Sequence, residues 1–175
     1  TFHCYFPYMR LADIYLIYAE AKAAIAKGAA DLKEKPEYCP SLSAIDAINV
    51  LRDRVSSDDY PLEHVQAQFL DTREHFLDEV RRERAVELSF EGFRWCDLQR
   101  WLLLTEPPYT VKYSHEFERL ESDSWFKNHD PKDAKVGNFH KEELIVRRLE
   151  SKHYWFPLPD KDTYLYEGFP QNPGW

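Results

Sequence analysis

The sequence predicts a mainly α fold, in which packed helices are followed by an irregular, Pro- and aromatic-rich C-terminal segment with little β. Three observations carry this reading. The first is the stretch Glu79 to Trp101. On a 3.6-residue period Leu77, Val80, Leu88 and Trp95 line one side, yet Arg84 and Glu91 fall in the middle of that stripe and Glu87 at its flank. Charge in an apolar stripe is costly unless paired and hydrogen-bonded, so the pattern implies a helical body with ion pairs inside it. The second is Tyr8 to Lys27, apolar on nearly every side. The third is the loss of helical patterning after Pro107-Pro108.

The elements follow in order. Helix one is expected from about Tyr8 to Lys27, stopping at Gly28. Leu11, Ile14, Tyr18 and Ile25 form one stripe, while Met9, Leu16 and Ile17 surround Asp13 and Glu20, which lie two turns apart and share a face. Such a helix is expected to be sandwiched between neighbours. A polar loop with Pro36 and Pro40 leads to Ser43, a suitable N-cap for Ala44 to about Val55, with Ile45, Ile48 and Val55 inward. A third helix is expected from near Asp71 to about Phe90. Gly92, with a positive φ, interrupts it, and the segment through Trp101 resumes as helix or turn. Tyr109 to Tyr113 alternates like a short strand, and Ser114 to Lys141 is charged, with Asp130-Pro131 and Gly137-Asn138 as turn signals. Leu144-Ile145-Val146 and Tyr154-Trp155-Phe156 are expected to pair as short strands. Pro157, Pro159, Pro170 and Pro173 then hold an extended tail whose aromatics pack on the helices.

Composition narrows the function. A formal charge of -8 and a pI near 5.4 argue against nucleic acid, since phosphate binding needs a basic patch. No apolar run approaches the roughly 20 residues of a membrane-spanning helix. Cys4, Cys39 and Cys96 are odd in number and lack a Cys-x-x-Cys, so three free, mostly buried thiols are expected rather than a disulfide framework or zinc site. Glu83, Glu87 and Glu91 are spaced by four, but Arg84 lies three residues from Glu87 and Arg94 three from Glu91, so these carboxylates read as structural ion-pair partners. A carboxylate held by guanidinium has a lowered pKa, which is wrong for a general acid. Glu150-x-x-His153 is the only Glu-x-x-His spacing, and no phosphate-cradling Gly loop is present; no catalytic residue, metal or cofactor is indicated. Phe, Trp and Tyr make up 15% of the chain. Flat aromatic faces stack on sugar rings while polar neighbours take the hydroxyls. Tyr109, Tyr113 and Trp125, in polar loop sequence, are the candidate ligand-binding residues.

Four stretches, in order, resemble the SusD-like (RagB/SusD) family of Bacteroidetes surface nutrient-binding lipoproteins. These are Arg10-Leu11-Ala12-Asp13 through Tyr18-Ala19-Glu20-Ala21; Ile48-Asn49 with Arg52 and Arg54; and Arg82-Glu83-Arg84, Glu87-Leu88, Phe90-Glu91-Gly92, Arg94 and Asp97-Leu98-Gln99-Arg100-Trp101. The fourth is Gln171-Asn172-Pro173-Gly174-Trp175. The resemblance implies tetratricopeptide-like helix pairs and a C-terminal portion of one larger domain: a helical core over 1–104, a variable loop region over 105–152 and an extended tail over 153–175. It assigns Asp13, Glu20, Arg84, Glu87, Glu91, Arg94 and Asp97 to a structural ion-pair network. It further implies a non-enzymatic protein that binds oligosaccharides at the cell surface and delivers them to a SusC-like, TonB-dependent outer-membrane transporter. The lipid anchor and most of the ligand site would lie upstream of Thr1, and Cys4 is not the lipidated residue. Two rivals are a helical-repeat scaffold binding protein or peptide, and a glycoside hydrolase needing two unneutralised carboxylates.

Overall fold

A computed structural model describes residues 9–130, 133–165 and 168–175. The chain divides into two compact units, Thr1–Arg94 and Trp95–Trp175. It is mainly helical with one small antiparallel sheet.

The first unit is built on α1 (Leu11–Ile25), α2 (Ala29–Lys33), α3 (Ala44–Val55) and α4 (Arg73–Glu87). α1 packs against both α3 and α4, which explains its small inward residues: Ala12, Leu16, Ala19 and Ala23 are buried and let the neighbouring backbones approach. Ile48 and Leu51 from α3, and Phe76 and Val80 from α4, complete the core. The expected stripe of α1 is instead largely on the outside: Leu11, Ile14 and Ile25 are exposed, as is Ile17 from the other side, while Tyr18 is half-buried against the core. The helix is thus covered on one side only within this unit. It ends at Ile25, and Gly28 is extended (φ -170°), serving as the residue before α2 rather than as a left-handed helix stop. Ser43 caps α3 as its sequence position suggests. Its hydroxyl accepts from the Asp46 N–H (3.1 Å) while the Asp46 carboxylate accepts from the Ser43 N–H (3.0 Å), a reciprocal capping box. Val55 is exposed rather than inward, and Ile45 only half-buried. Thr72 caps α4 by accepting from the His75 N–H.

α4 stops at Glu87, earlier than expected. Phe90 (φ 64°) and Gly92 (φ 86°) then turn the chain, and α5 (Phe93–Arg100) begins directly after Gly92. The boundary between the units falls within α5.

The second unit departs further from expectation. The charged segment after Tyr113 is not loop: β1 (Val111–Arg119) pairs antiparallel with β2 (Val136–Val146). Leu144-Ile145-Val146 does form strand, but Val146 and Ile145 pair with Val111 and Lys112, and Tyr154-Trp155-Phe156 joins no strand. Ser151–Tyr154 is a 3-10 turn and α6 (Asp160–Thr163) is a single helical turn. Gly137-Asn138, a turn signal in the sequence, lies inside β2, where Asn138 has a positive φ beside an irregularity in the register. β1 alternates Val111, Tyr113 and Phe117 with Lys112, Ser114, Glu116 and Glu118, but β2 from Val136 to Glu143 does not alternate, so its pairing with β1 leaves no mark in the sequence.

The closing residues form a clamp. The Gln171 amide oxygen accepts from the N–H groups of Leu158 (2.7 Å) and Asn172 (2.8 Å), while its amide nitrogen donates to the Leu158 carbonyl (2.9 Å). Asn172 donates to the Phe156 carbonyl, and the Trp175 indole N–H is shared between the carbonyls of Lys152 and Trp155. Gly174 (φ 90°) sits where an added Cβ would lie 2.8 Å from Lys152 Cβ. The tail is therefore ordered by polar side chains, and Trp155, Phe156, Tyr164 and Phe169 stay exposed rather than becoming core.

Candidate functional site

The charged residues of α4 meet partners from other helices. Arg84 is buried and its Nη1 donates to the buried Asp13 carboxylate on α1 at 2.8 Å. Arg52, buried on α3, donates to Glu83 (2.7 and 3.1 Å) and to Glu79, and also to the Glu63 carbonyl (3.0 Å). Arg82 holds Glu79 from the other side at 2.7 and 2.8 Å. Burial pushes the Glu79 carboxyl upward, but the Arg82 and Arg52 guanidinium groups outweigh it and hold the group below the ordinary carboxylate range.

Arg10, just before α1, reaches Glu87 (2.9 Å) and Glu91 (2.6 Å) and donates to the Glu87 carbonyl (2.8 Å). Arg54 adds a second guanidinium to Glu87. Hydrogen bonding to Arg10 depresses the Glu91 pKa. Glu91 is exposed, unlike its expected place in the stripe, because the chain has already left the helix there. Glu20 is half-buried on α1, and Arg94 is half-buried at the first turn of α5. In the second unit Asp97 is buried and accepts from Arg100 Nε at 3.0 Å.

A cleft of about 400 Å³ opens over this network, lined by Arg52, Glu79, Arg82, Glu83, Phe69 and Val86 among others. Each of Glu79, Glu83, Glu87 and Glu91 is held by guanidinium. Glu79 and Glu91, whose pKa values are held down by these guanidinium groups, are the opposite of the raised carboxyl that glycoside hydrolysis needs as its acid.

The candidate stacking residues are on separate local structures. Tyr109 is half-buried in the turn before β1, its N–H bonded to the Glu106 carbonyl (2.9 Å). Tyr113 is exposed on β1, with Lys141 Nζ 3.6 Å over its ring. Trp125 stacks on His129 (4.4 Å, 5° between planes) and meets the edge of Phe126. One face of the Tyr113 ring and one of Trp125 are thus already occupied.

A groove of about 340 Å³ in the second unit, not expected from the sequence, is lined by Cys96, Gln99, Arg100, Leu102, Tyr154 and Trp155. Tyr154 is fixed by its hydroxyl, which accepts from the Leu104 N–H (2.9 Å), and by Gln99, which donates to its carbonyl (3.1 Å). Trp155 is 64% exposed, leaving an open aromatic face beside amide and guanidinium groups. That is the mixture of apolar wall and placed polar groups that a sugar ring can use. The adjacent Tyr154-Trp155 was the available signal, and a strand assignment hid it. Cys96 on this groove is a free, exposed thiol, whereas burial was expected; Cys39 is free and half-buried, and Cys4 lies outside the described residues.

The comparisons agree on one family. The SusD family matches residues 1–175, and the chain belongs to it, a family of outer-membrane nutrient-binding proteins that bind rather than transform their ligands. No curated protein is significantly similar to the chain. A SusD-like protein from Bacteroides fragilis NCTC 9343 is similar in fold, with a TM-score of 0.61 and 22% identity over 95% of this chain and 25% of its own. A SusD homolog from Bacteroides thetaiotaomicron VPI-5482 gives a TM-score of 0.53 and 25% identity over 100% of this chain and 30% of its own. The chain thus spans between a quarter and a third of the length of these solved structures.

Proposed function

We propose that this chain is part of a non-catalytic, lipid-anchored binding protein of the outer membrane, which captures oligosaccharides at the cell surface and delivers them to a SusC-like, TonB-dependent transporter. The match to the SusD family over residues 1–175 is the observation that carries this reading. The neutralised carboxylates of α4 support binding over hydrolysis. Within this chain the helical unit supplies a rigid, ion-paired body, and Trp155, Tyr113 and Trp125 supply open or half-open aromatic faces.

Calorimetry of the full-length protein against a panel of oligosaccharides tests the reading. Saturable binding of one glycan class, with the glycan recovered uncleaved after prolonged incubation, is the expected result. Binding of peptides but no glycan would favour a peptide-binding scaffold, and cleavage products would overturn the non-catalytic assignment.

A further inference from the structure

The register of the hairpin brings together three side chains that are far apart in sequence. Glu116 on β1 is directly opposite His140 on β2, and Glu142, two residues further along β2, projects on the same face as His140. His140 Nε2 lies 3.2 Å from Glu116 Oε2 and 3.4 Å from Glu142 Oε1. Single donor atoms of the three residues all fall within 4.8 Å of one another.

The other imidazole nitrogen decides what Nε2 can do. Nδ1 is 3.0 Å from the Asn138 carbonyl oxygen, which only accepts, so Nδ1 carries the proton. In the neutral ring the free lone pair is then on Nε2, aimed between the two carboxylates. A hydrogen bond from the non-ligating nitrogen to a backbone carbonyl is the outer contact that orients metal-binding histidines. The positive φ of Asn138 sets that carbonyl, and its side-chain amide is tied to Glu118 at 2.6 Å.

We propose that Glu116, His140 and Glu142 form a surface site for a divalent transition-metal ion, of which Zn²⁺ is the probe of choice. Donors bound at about 2.0–2.2 Å to one tetrahedral ion stand roughly 3.3–3.6 Å apart, close to the two separations observed from Nε2. One imidazole and two carboxylates suit a borderline ion such as Zn²⁺ better than Mg²⁺ or Ca²⁺, which prefer oxygen donors throughout. The ion would neutralise the two carboxylates and join β1 to β2, completing its coordination with water. No motif marks this trio, because its ligands meet only through strand pairing.

The test is calorimetric titration of the metal-free protein with Zn²⁺ in millimolar Mg²⁺, repeated with His140→Ala and Glu142→Gln. These side chains are exposed, and circular dichroism verifies that both variants keep the native fold. Two other exposed pairs, His64–Asp53 and His75–Asp71, stay intact in the variants and report non-specific uptake. One Zn²⁺ per chain is expected, with affinity at least about tenfold lower in each variant, since losing even an outer partner of a metal ligand costs about 10–100-fold. In the wild type, the His140 Nε2 resonance should move on Zn²⁺ addition while Nδ1 keeps its proton. Unchanged binding in His140→Ala, an unmoved Nε2 resonance, or no binding despite millimolar Zn²⁺ would each overturn the proposal.

Discussion

Arg84 shows how a single side chain can hold a helical body together. Its charge is matched by Asp13 on another helix, and both are buried. Removing one partner of a buried pair leaves the other uncompensated, at a typical cost of about 3–5 kcal/mol. Arg84→Met should therefore melt far below wild type or be recovered insoluble, and Asp13→Leu in the same chain should restore part of the loss. Thermal melts of the wild type, the single and the double variant check both statements; a wild-type melting temperature for the single variant would refute the first. Acid acts on the same network. The folded pKa values of Glu79 and Glu91 are depressed, so their stabilising contribution is present above the ordinary carboxylate range and lost as pH falls from that range down through the lowered folded values. Urea midpoints should be nearly flat from pH 7 to about pH 5 and decline steeply below that. Glu79→Gln should weaken the acid-dependent slope.

At the scale of elements, local signals were readable and long-range ones were not. Ser43 and Asp46 announce a helix start because a cap is made within four residues. The buried charge of α4 was visible in its periodicity, but which guanidinium meets which carboxylate depends on helix packing, so Arg10 and Arg52 went unassigned. Tyr109 to Tyr113 and Leu144 to Val146 carry strand signals at the outer ends of β1 and β2, but the charged residues between them do not show that the two strands extend and pair from Val111 to Val146. The Gln171-Asn172-Pro173-Gly174-Trp175 motif was legible as a motif, though nothing local showed that it grips residues 152–158. Gln171→Ala should leave the Leu158 N–H and carbonyl without their side-chain partner, at about 1–3 kcal/mol where such groups are shielded from water. Hydrogen exchange at Leu158 and Asn172 should accelerate. Unchanged protection at both amides would show that the clamp is not what orders this segment.

For the molecule as a whole, no one pocket found among the described residues is lined by Tyr109, Tyr113, Trp125 and Trp155 together. An isolated aromatic contact adds only about 0.5–1.5 kcal/mol. Alanine at Tyr109, Tyr113 and Trp125 together should weaken oligosaccharide binding by the full-length protein modestly, without abolishing it. Complete loss with the fold intact would locate the ligand site at these residues. The candidate groove beside Trp155 was not legible because its walls come from α5 and from residues more than fifty positions later, joined by the Tyr154 hydroxyl.

The clamp also imposes an order on synthesis. The first unit closes at Arg94 and has all of its described helices, apart from the remainder of α5, while the ribosome is still working. Elongation proceeds at about 5–20 residues per second, so such a body has seconds in which to form before Trp175 is added. The segment from Lys152 to Leu158 has no such head start. Its carbonyls and its Leu158 amide wait for Gln171, Asn172 and Trp175 to leave the exit tunnel. A chain cut before Gln171 would keep the helical body and lack the side chains that hold residues 152–158, a difference that a protease can read.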